Sequence, residues 1–254
     1  MIRNKQLLYL IVYKAYAELR TEAERTYAGF VWWLLEPVFS MLVYYVVFAY
    51  FFNQGRDDYV LFLCIGVVTW QWLQNTVMRA SNTILLGRDL MQQVYLPKVV
   101  FPAAAILADC AKFSVVFLLL IGFVVLQGVM PSVSYLVLPV LLVVQASLIT
   151  GITLIAAAMM PFFPDLRLLL LHLLHLGFFV SGIFFSITEV PPRLQLLFRL
   201  NPMANLVEAY RDVLIHQHWP RGDLVTAIFL VSLILVGVGV KMIHHLDREF
   251  PKVC

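Results

Sequence analysis

Residues 99–127 read VVFPAAAILADCAKFSVVFLLLIGFVVLQ, an apolar run of helical length with only two charged residues, Asp109 and Lys112. A run of this kind is long enough to cross the hydrocarbon core of a bilayer, about 30 Å thick, as one α-helix. Five further apolar runs fill most of the remaining chain. We place the six spans at residues 31–52, 59–79, 99–127, 134–160, 167–187 and 223–243.

The composition is that of a membrane-embedded chain. Of its 254 residues, 62% are hydrophobic and 13% are charged, whereas soluble domains contain about 25% charged residues. In lipid only helices and closed barrels satisfy every backbone N–H and C=O group, and a barrel would show alternating segments of about ten residues. We therefore predict an all-α membrane protein, with residues 1–254 forming a single transmembrane domain.

The distribution of basic residues predicts the orientation. With the N-terminus inside, the cytoplasmic segments hold 12 Lys and Arg residues and the outer segments hold 5. Because basic residues near span ends favour the cytoplasmic side, we expect both termini to lie in the cytoplasm.

Two segments outside the spans have the pattern of short amphipathic helices. Residues 4–22 predict a helix lying at the inner membrane surface, as a simple anchor or as a docking element for a partner. In residues 188–221, Asn201-Pro202 is a strong helix start, and both halves are too short to span. A single crossing there would place the basic C-terminus outside, so we predict a re-entrant hairpin in the outer leaflet.

The polar interval 80–98 connects spans two and three on the predicted inner side. It is either an ordinary connection or a short helix that receives force from a partner.

Polar and aromatic side chains recur along one face of spans one and five. Such residues either pack helices together or line a pathway, and aromatic rings suit a sugar chain better than a small ion. The steps of three and four in span five predict that its polar positions share a single helical face. The predicted path residues are Trp32, Trp33, Glu36, Ser40, Tyr44, His172, His175, Phe179, Gly182 and Ser186.

Sequence motifs for catalysis and cofactor binding are absent. The chain has no nucleotide-binding Gly-rich loop and no hydrolase or metalloprotease motif. Asp109 and Lys112 are three residues apart on one helix and can neutralise each other, while His172 and His175 have no third metal ligand nearby. We therefore expect no catalytic residue, metal, cofactor or nucleic-acid partner; any ATP would be bound by another polypeptide.

Four segments, in this order, resemble the membrane subunit of ABC-2 type exporters, in particular the O-antigen, capsule and teichoic-acid polysaccharide permeases. They are YAGFVWWLLEP (27–37), VYLPK (94–98), FFPDLR (162–167) and NPM (201–203). The family normally shows Arg-Asp where this chain has Pro164-Asp165.

The resemblance implies a homodimer of six-span subunits in the bacterial inner membrane, with a channel between the subunits and two copies of a separate ATPase subunit. The substrate would be a lipid-linked polysaccharide, and VYLPK favours the O-antigen branch and hence lipopolysaccharide biosynthesis. The ATPase would dock on Lys14, Arg20, Arg88, Asp89, Leu90, Met91 and Gln92. The outer gate would contain Glu189, Arg193, Asn201, Pro202, Glu208 and Arg211.

Other functions remain open from the sequence. The nearest is a small-molecule or drug exporter of the same architecture, and capsule or teichoic acid could replace O-antigen as the substrate. An ion- or proton-coupled carrier would need Asp109 or His175, and a lipid-modifying membrane enzyme would need clustered acidic residues or histidines.

Overall fold

A computed structural model of the chain describes residues 4–25, 29–47, 58–93, 96–186, 189–247 and 249–250, and these ranges contain helices and no β-strand. A 3₁₀ turn at Val133–Val137 lies directly before the helix that begins at Leu138. The all-α prediction is thus confirmed for the described residues. The helices are α1 (Asn4–Arg25), α2 (Gly29–Tyr45), α3 (Tyr59–Ala80), α4 (Thr83–Leu86), α5 (Arg88–Gln93), α6 (Val100–Leu126), α7 (Leu138–Met159), α8 (Leu166–Val180), α9 (Pro192–Leu200), α10 (Pro202–Leu214) and α11 (Gly222–Leu246).

Within the described part of the chain, four helical segments are long and apolar enough to cross a membrane. They are Tyr59–Gln93, Val100–Leu126, Val133–Met159 and Gly222–Leu246, and they correspond to predicted spans two, three, four and six. Spans one and five correspond to the shorter helices α2 and α8, of 17 and 15 residues. Four spans are therefore supported by helix length, whereas the six-span topology and the re-entrant hairpin stay predictions.

The middle of the bundle is α3, in which residues 61–70 are all buried. It packs against α2, α6, α7, α8 and α10. Trp72 stacks on Phe113 of α6 with ring centroids 4.0 Å apart, and Phe117 of α6 meets Tyr210 of α10 edge-on at 5.7 Å. Because helices surround α3, side chains at its two ends contact several other helices of the bundle.

Helices α7 and α11 form the most extensive helix pair, and two glycines bring their backbones together. A Cβ added at Gly151 would lie 2.6 Å from the Cβ of Leu235, and one added at Gly239 would lie 2.6 Å from the Cβ of Leu154. Small residues at a seam are the usual means of close helix packing in membranes, where no hydrophobic force drives helices together.

Helix α1 packs along α6, where Ala15 is buried against Ala104 and Ala108. Its free face carries exposed apolar and aromatic side chains, Leu8, Tyr9, Val12, Tyr13 and Tyr16. The predicted helix over residues 4–22 is confirmed, and such an apolar free face is what a helix lying at a membrane interface presents.

Candidate functional site

Charged side chains of α1, α3 and α6 form one network at the end of the bundle where α1 packs. Arg79 Nη2 lies 2.7 Å from Asp109 Oδ1, and Arg79 Nε donates to Asp109 Oδ2 at 3.0 Å. Lys112 Nζ lies 3.3 Å from Asp109 Oδ1 and also binds Glu22, while Glu18 lies 3.4 Å from Arg79 Nη1. The predicted pairing of Asp109 with Lys112 is confirmed. The contacts of Asp109 with Arg79 and of Lys112 with Glu22 were not predicted, because those partners lie on other helices.

A cavity of about 450 Å³ adjoins this network and is lined by residues of α1, α2, α3, α6 and α8. Gln71 and Asn75 of α3 line it together with the charged groups. Sequence reasoning did not select these two residues, although their spacing of four places them on one face of an apolar helix, which is the signal that would have found them.

The predicted path residues of α2 have different surroundings. Ser40 Oγ accepts a hydrogen bond from Gln71 Nε2 at 2.7 Å, so this side chain ties α2 to α3. Trp32 and Glu36 are exposed, and Glu36 Oε1 accepts weakly from Asn75 Nδ2 at 3.4 Å. The side chains of Trp33 and Tyr44 lie outside the described part of the structure.

The predicted stripe on span five is only partly helical. His172, His175 and Phe179 lie on α8 and are exposed. The prediction that Gly182 and Ser186 continue the same helical face is wrong, because α8 ends at Val180 and Gly182 adopts a left-handed φ of 65°. Glycine tolerates this backbone without a Cβ clash, so the chain turns here and carries Ser186 into a buried position.

The turn after α8 is held by Arg211 of α10, whose side chain is 1% exposed. Its Nη1 donates to the carbonyl of Gly182 at 2.7 Å, and its Nη2 donates to Ile183 at 2.9 Å and to Phe62 at 3.1 Å. The guanidinium also lies over the Phe62 ring, 3.3 Å from its centroid. Arg211, predicted as a gate residue, therefore fastens irregular backbone to α3.

Other predicted gate residues brace the same turn. Ser186 Oγ donates to Glu208 Oε1 at 3.1 Å, and the backbone N–H of Ser186 donates to Glu189 at 3.2 Å. Asn201 accepts from the Met203 N–H at 3.0 Å and so caps α10, as the Asn201-Pro202 pair predicts. Arg193 is exposed on α9.

The surroundings of Asp212 on α10 disfavour the charged form of its carboxyl group. Burial, followed by the neighbouring Glu208 carboxylate, raises the pKa of Asp212, and His216 and His218 oppose this shift. Asp212 and Glu208 share a smaller cavity with Arg199 and Arg221.

The residues predicted to dock a partner lie in two places. On α1, Lys14 pairs with Glu18 at 2.7 Å and Arg20 pairs with Glu24 at 2.8 Å. On α5, Arg88, Asp89 and Gln92 are exposed. The side chain of Leu90 lies outside the described part of the structure.

Behind α5 lies a small apolar core that the sequence did not reveal. Met91 packs there with Ile84 of α4 and with Phe250, whose ring contacts Phe162 of the turn before α8 at 5.7 Å. Phe250 thus contacts residues 83–93, the segment of α4 and α5 that we call the α4–α5 connection, and also the turn before α8.

Among the described residues, no group of three or more His, Cys, Asp or Glu side chains is placed to hold a metal ion. Cys64 and Cys110 are free thiols.

Comparison with known proteins gives consistent results. The sequence profile of the family described as ABC-2 type transporter matches residues 15–215. The O-antigen export system permease protein RfbA of Myxococcus xanthus is 25% identical, with 99% of each chain covered. The protein of the same name from Klebsiella pneumoniae is 21% identical over 97% of this chain and 95% of its own. The polysialic acid transport protein KpsM of Escherichia coli is 22% identical over 89% and 88%.

Proposed function

Because the chain belongs to the ABC-2 type transporter family, we propose that it is the membrane-spanning subunit of an ATP-driven exporter of lipid-linked polysaccharide, with O-antigen as the substrate. The similarity to O-antigen export permeases over 99% of both chains carries this proposal.

ATP hydrolysis is assigned to a separate subunit, since the sequence contains no nucleotide-binding loop. The α4–α5 connection has the properties expected of the element on which this ATPase subunit docks. Arg88, Asp89 and Gln92 are exposed to a partner, while Met91 anchors the same short helix in an apolar core. A rigidly anchored helix transmits a push instead of bending locally.

The export path is proposed to lie between two copies of this chain, each served by one ATPase subunit. Trp32 and Glu36 on α2, and His172, His175 and Phe179 on α8, are exposed in the single chain. If they faced acyl chains, the carboxylate of Glu36 and the imidazoles of His172 and His175 would be costly, whereas at a path between two copies they would contact water and sugar hydroxyls.

In the proposed cycle, ATP binding closes the ATPase pair and displaces the α4–α5 connection as a rigid unit. The two copies of α2 and α8 then separate and admit the glycan, and hydrolysis resets them. The polymer consequently advances in steps. The chain is placed in the bacterial inner membrane with both termini in the cytoplasm, as the distribution of Lys and Arg favours.

A capsular polysaccharide is the second candidate substrate. It is supported by the similarity to a polysialic acid transport protein over 89% of this chain. We rank capsular polysaccharide second because this relative covers less of the chain and because the VYLPK segment at 94–98 favours O-antigen.

Deletion of the gene in its host, followed by localisation of lipid-linked glycan, tests the proposal. We expect polymer to accumulate on the cytoplasmic side while surface glycan is lost, and sugar analysis of the trapped polymer then separates O-antigen from capsule. Unchanged surface glycan would contradict polysaccharide export and would favour a small-molecule exporter of the same family.

A further inference from the structure

Among the side chains that the structure describes on α5, that of Met91 is the only buried one, with 8% of its surface exposed. The other described side chains of this helix are exposed, namely Arg88, Asp89, Gln92 and Gln93. Besides the covalent chain, the apolar core around Met91 is therefore the route by which a force applied to the exposed face of α5 reaches the rest of the bundle.

The core around Met91 also contains Phe250, which is 0% exposed. Buried side chains from α4, α6, α7 and α11 complete it, among them Ile84, Phe101, Leu154 and Ile243. The Phe250 ring contacts the Phe162 ring, with centroids 5.7 Å apart. Phe162 lies in the turn between the end of α7 at Met159 and the start of α8 at Leu166. One side chain thus joins the core beneath α5 to the turn from which α8 begins.

Two polar contacts fasten the chain that leads from α11 to Phe250. Lys98 Nζ lies 3.6 Å from Asp247 Oδ1, and the Lys98 side chain is 3% exposed. The backbone N–H of Glu249 donates to the carbonyl of Leu246 at 2.9 Å. A lysine buried to this extent needs its partner, because an unpaired buried charge is costly. Since Lys98 lies between α5 and α6, the ion pair ties the end of α11 to the chain that leaves α5.

We propose that Phe250 is a positioning residue in the export cycle, which couples movement of the α4–α5 connection to the start of α8. The inference rests on the proposed function and adds to it the route by which the ATPase subunit acts on the path. Closely packed side chains have low compressibility and transmit strain. A displacement of Met91 therefore moves Phe250, and Phe250 moves the turn that contains Phe162. Helix α8 follows directly and carries exposed residues of the proposed path, His172 and Phe179 among them.

Substitutions of phenylalanine by leucine separate coupling from stability. Phe250→Leu keeps an apolar side chain in the core but removes the ring that contacts Phe162, and cores tolerate hydrophobic exchanges that roughly keep the volume. Phe162→Leu removes the same contact from the other side, where the ring is only partly buried. Phe117→Leu is the matched control, because Phe117 is 3% exposed in the main core around α3 and does not belong to the core beneath α5.

The measurement uses sealed vesicles that contain this chain, the ATPase subunit proposed for it and lipid-linked glycan isolated from the host. ATP hydrolysis and glycan transfer are followed in the same vesicles at equal amounts of assembled complex. We expect Phe250→Leu and Phe162→Leu to retain ATP hydrolysis and to lower the glycan transferred per ATP by about tenfold. The double variant should lose no more than either single variant, because both remove one contact. Phe117→Leu should lower the unfolding temperature but leave the ratio of glycan to ATP unchanged.

An unchanged ratio in Phe162→Leu, or an equal loss in Phe117→Leu, would overturn the coupling role. So would a Phe250→Leu chain that folds but no longer binds the ATPase subunit, because Phe250 would then support docking itself. If Phe250→Leu does not fold, Phe162→Leu decides alone. Failure of the coupling role is distinguishable from failure of the proposed function. In the first case wild-type vesicles transfer glycan and the variants match them, and in the second case wild-type vesicles hydrolyse ATP and transfer no glycan.

Discussion

The two ends of α3 hold an arginine in contrasting ways. Arg211 contacts the end near Phe62, is 1% exposed and is bound mainly by backbone carbonyls. Arg79 lies at the other end, about 25 Å away along the helix, is one-third exposed and is bound by two carboxylates and the carbonyl of Ala105. Carbonyls in a fixed turn cannot rearrange independently, whereas carboxylates on separate helices can exchange partners with water. We infer that the Arg211 end is a rigid anchor and the Arg79 end is adaptable.

The largest expected effect is that of Arg211→Ala. This change leaves three buried carbonyls without their donor and opens a cavity, so we expect a loss of about 3–5 kcal/mol in the free energy of unfolding. Arg211→Lys should recover only part of it, since an ammonium lacks the planar fork. Thermal unfolding of the detergent-solubilised protein measures both changes. The exposed Arg193→Ala is the control and should stay within about 0.5 kcal/mol of the wild type.

Gly66 tests the same anchor from the side of α3. A Cβ at this position would lie 2.9 Å from Arg211 Nη2 and 3.2 Å from Ile183 Cγ2, so Gly66→Ala should displace the guanidinium and cost about 1–3 kcal/mol. Gly122 in α6 has no atom within 4 Å of an added Cβ. Gly122→Ala should therefore be neutral or slightly stabilising. Equal unfolding temperatures for the two variants would refute the rigid anchor.

The adaptable end should respond less strongly. Asp109→Asn removes the carboxylate shared by Arg79 and Lys112, but Glu18 and Glu22 remain to receive the cations. We expect a loss of about 1–2 kcal/mol in unfolding free energy, measured by thermal unfolding. Glu24→Gln, in the exposed pair with Arg20, should have no measurable effect. A loss for Asp109→Asn as large as that for Arg211→Ala would abolish the distinction between the two ends.

The smallest effect concerns Asp212, whose pKa is raised chiefly by burial. A raised pKa in the folded state means that folding favours the protonated form, so stability is lost as the pH increases through this carboxyl group's range. Asp212→Asn mimics the protonated form. It should raise the unfolding temperature slightly at pH 7, and the difference should vanish once the pH falls below the ordinary aspartate range. A variant less stable than the wild type at pH 7 would show that the charged form is favoured.

Much of the fold was predictable, because bilayer thickness translates directly into helix length. The run at 99–127 predicted α6 to within one residue at either end, and Asn201-Pro202 predicted the start of α10. The predicted end of the fifth span was wrong, because the apolar sequence continues past Val180 although the helix ends there and the backbone turns. Hydrophobicity indicates whether a residue lies within the membrane, but it does not reveal a glycine with a left-handed backbone conformation.

The polar contacts were predictable only where both partners lie on one helix. Asp109 and Lys112 are three residues apart, so helical geometry alone pairs them. Arg211 donates a hydrogen bond to the carbonyl of Phe62, which lies 149 residues earlier in the sequence. No local sequence pattern predicts a contact between residues so far apart in the chain. The role of these residues as a gate therefore stays a prediction, and the contacts of Arg211 with α3 emerged only from the packed structure.

Reconstitution tests the central claim most directly. The chain and the ATPase subunit proposed for it are placed in sealed vesicles with radiolabelled lipid-linked glycan, and protection of the glycan from a glycosidase added on the ATPase side is followed over time. The account predicts protection that requires ATP and is lost without this chain. Glycan that stays accessible while ATP is hydrolysed, with a dye transported in its place, would contradict polysaccharide export.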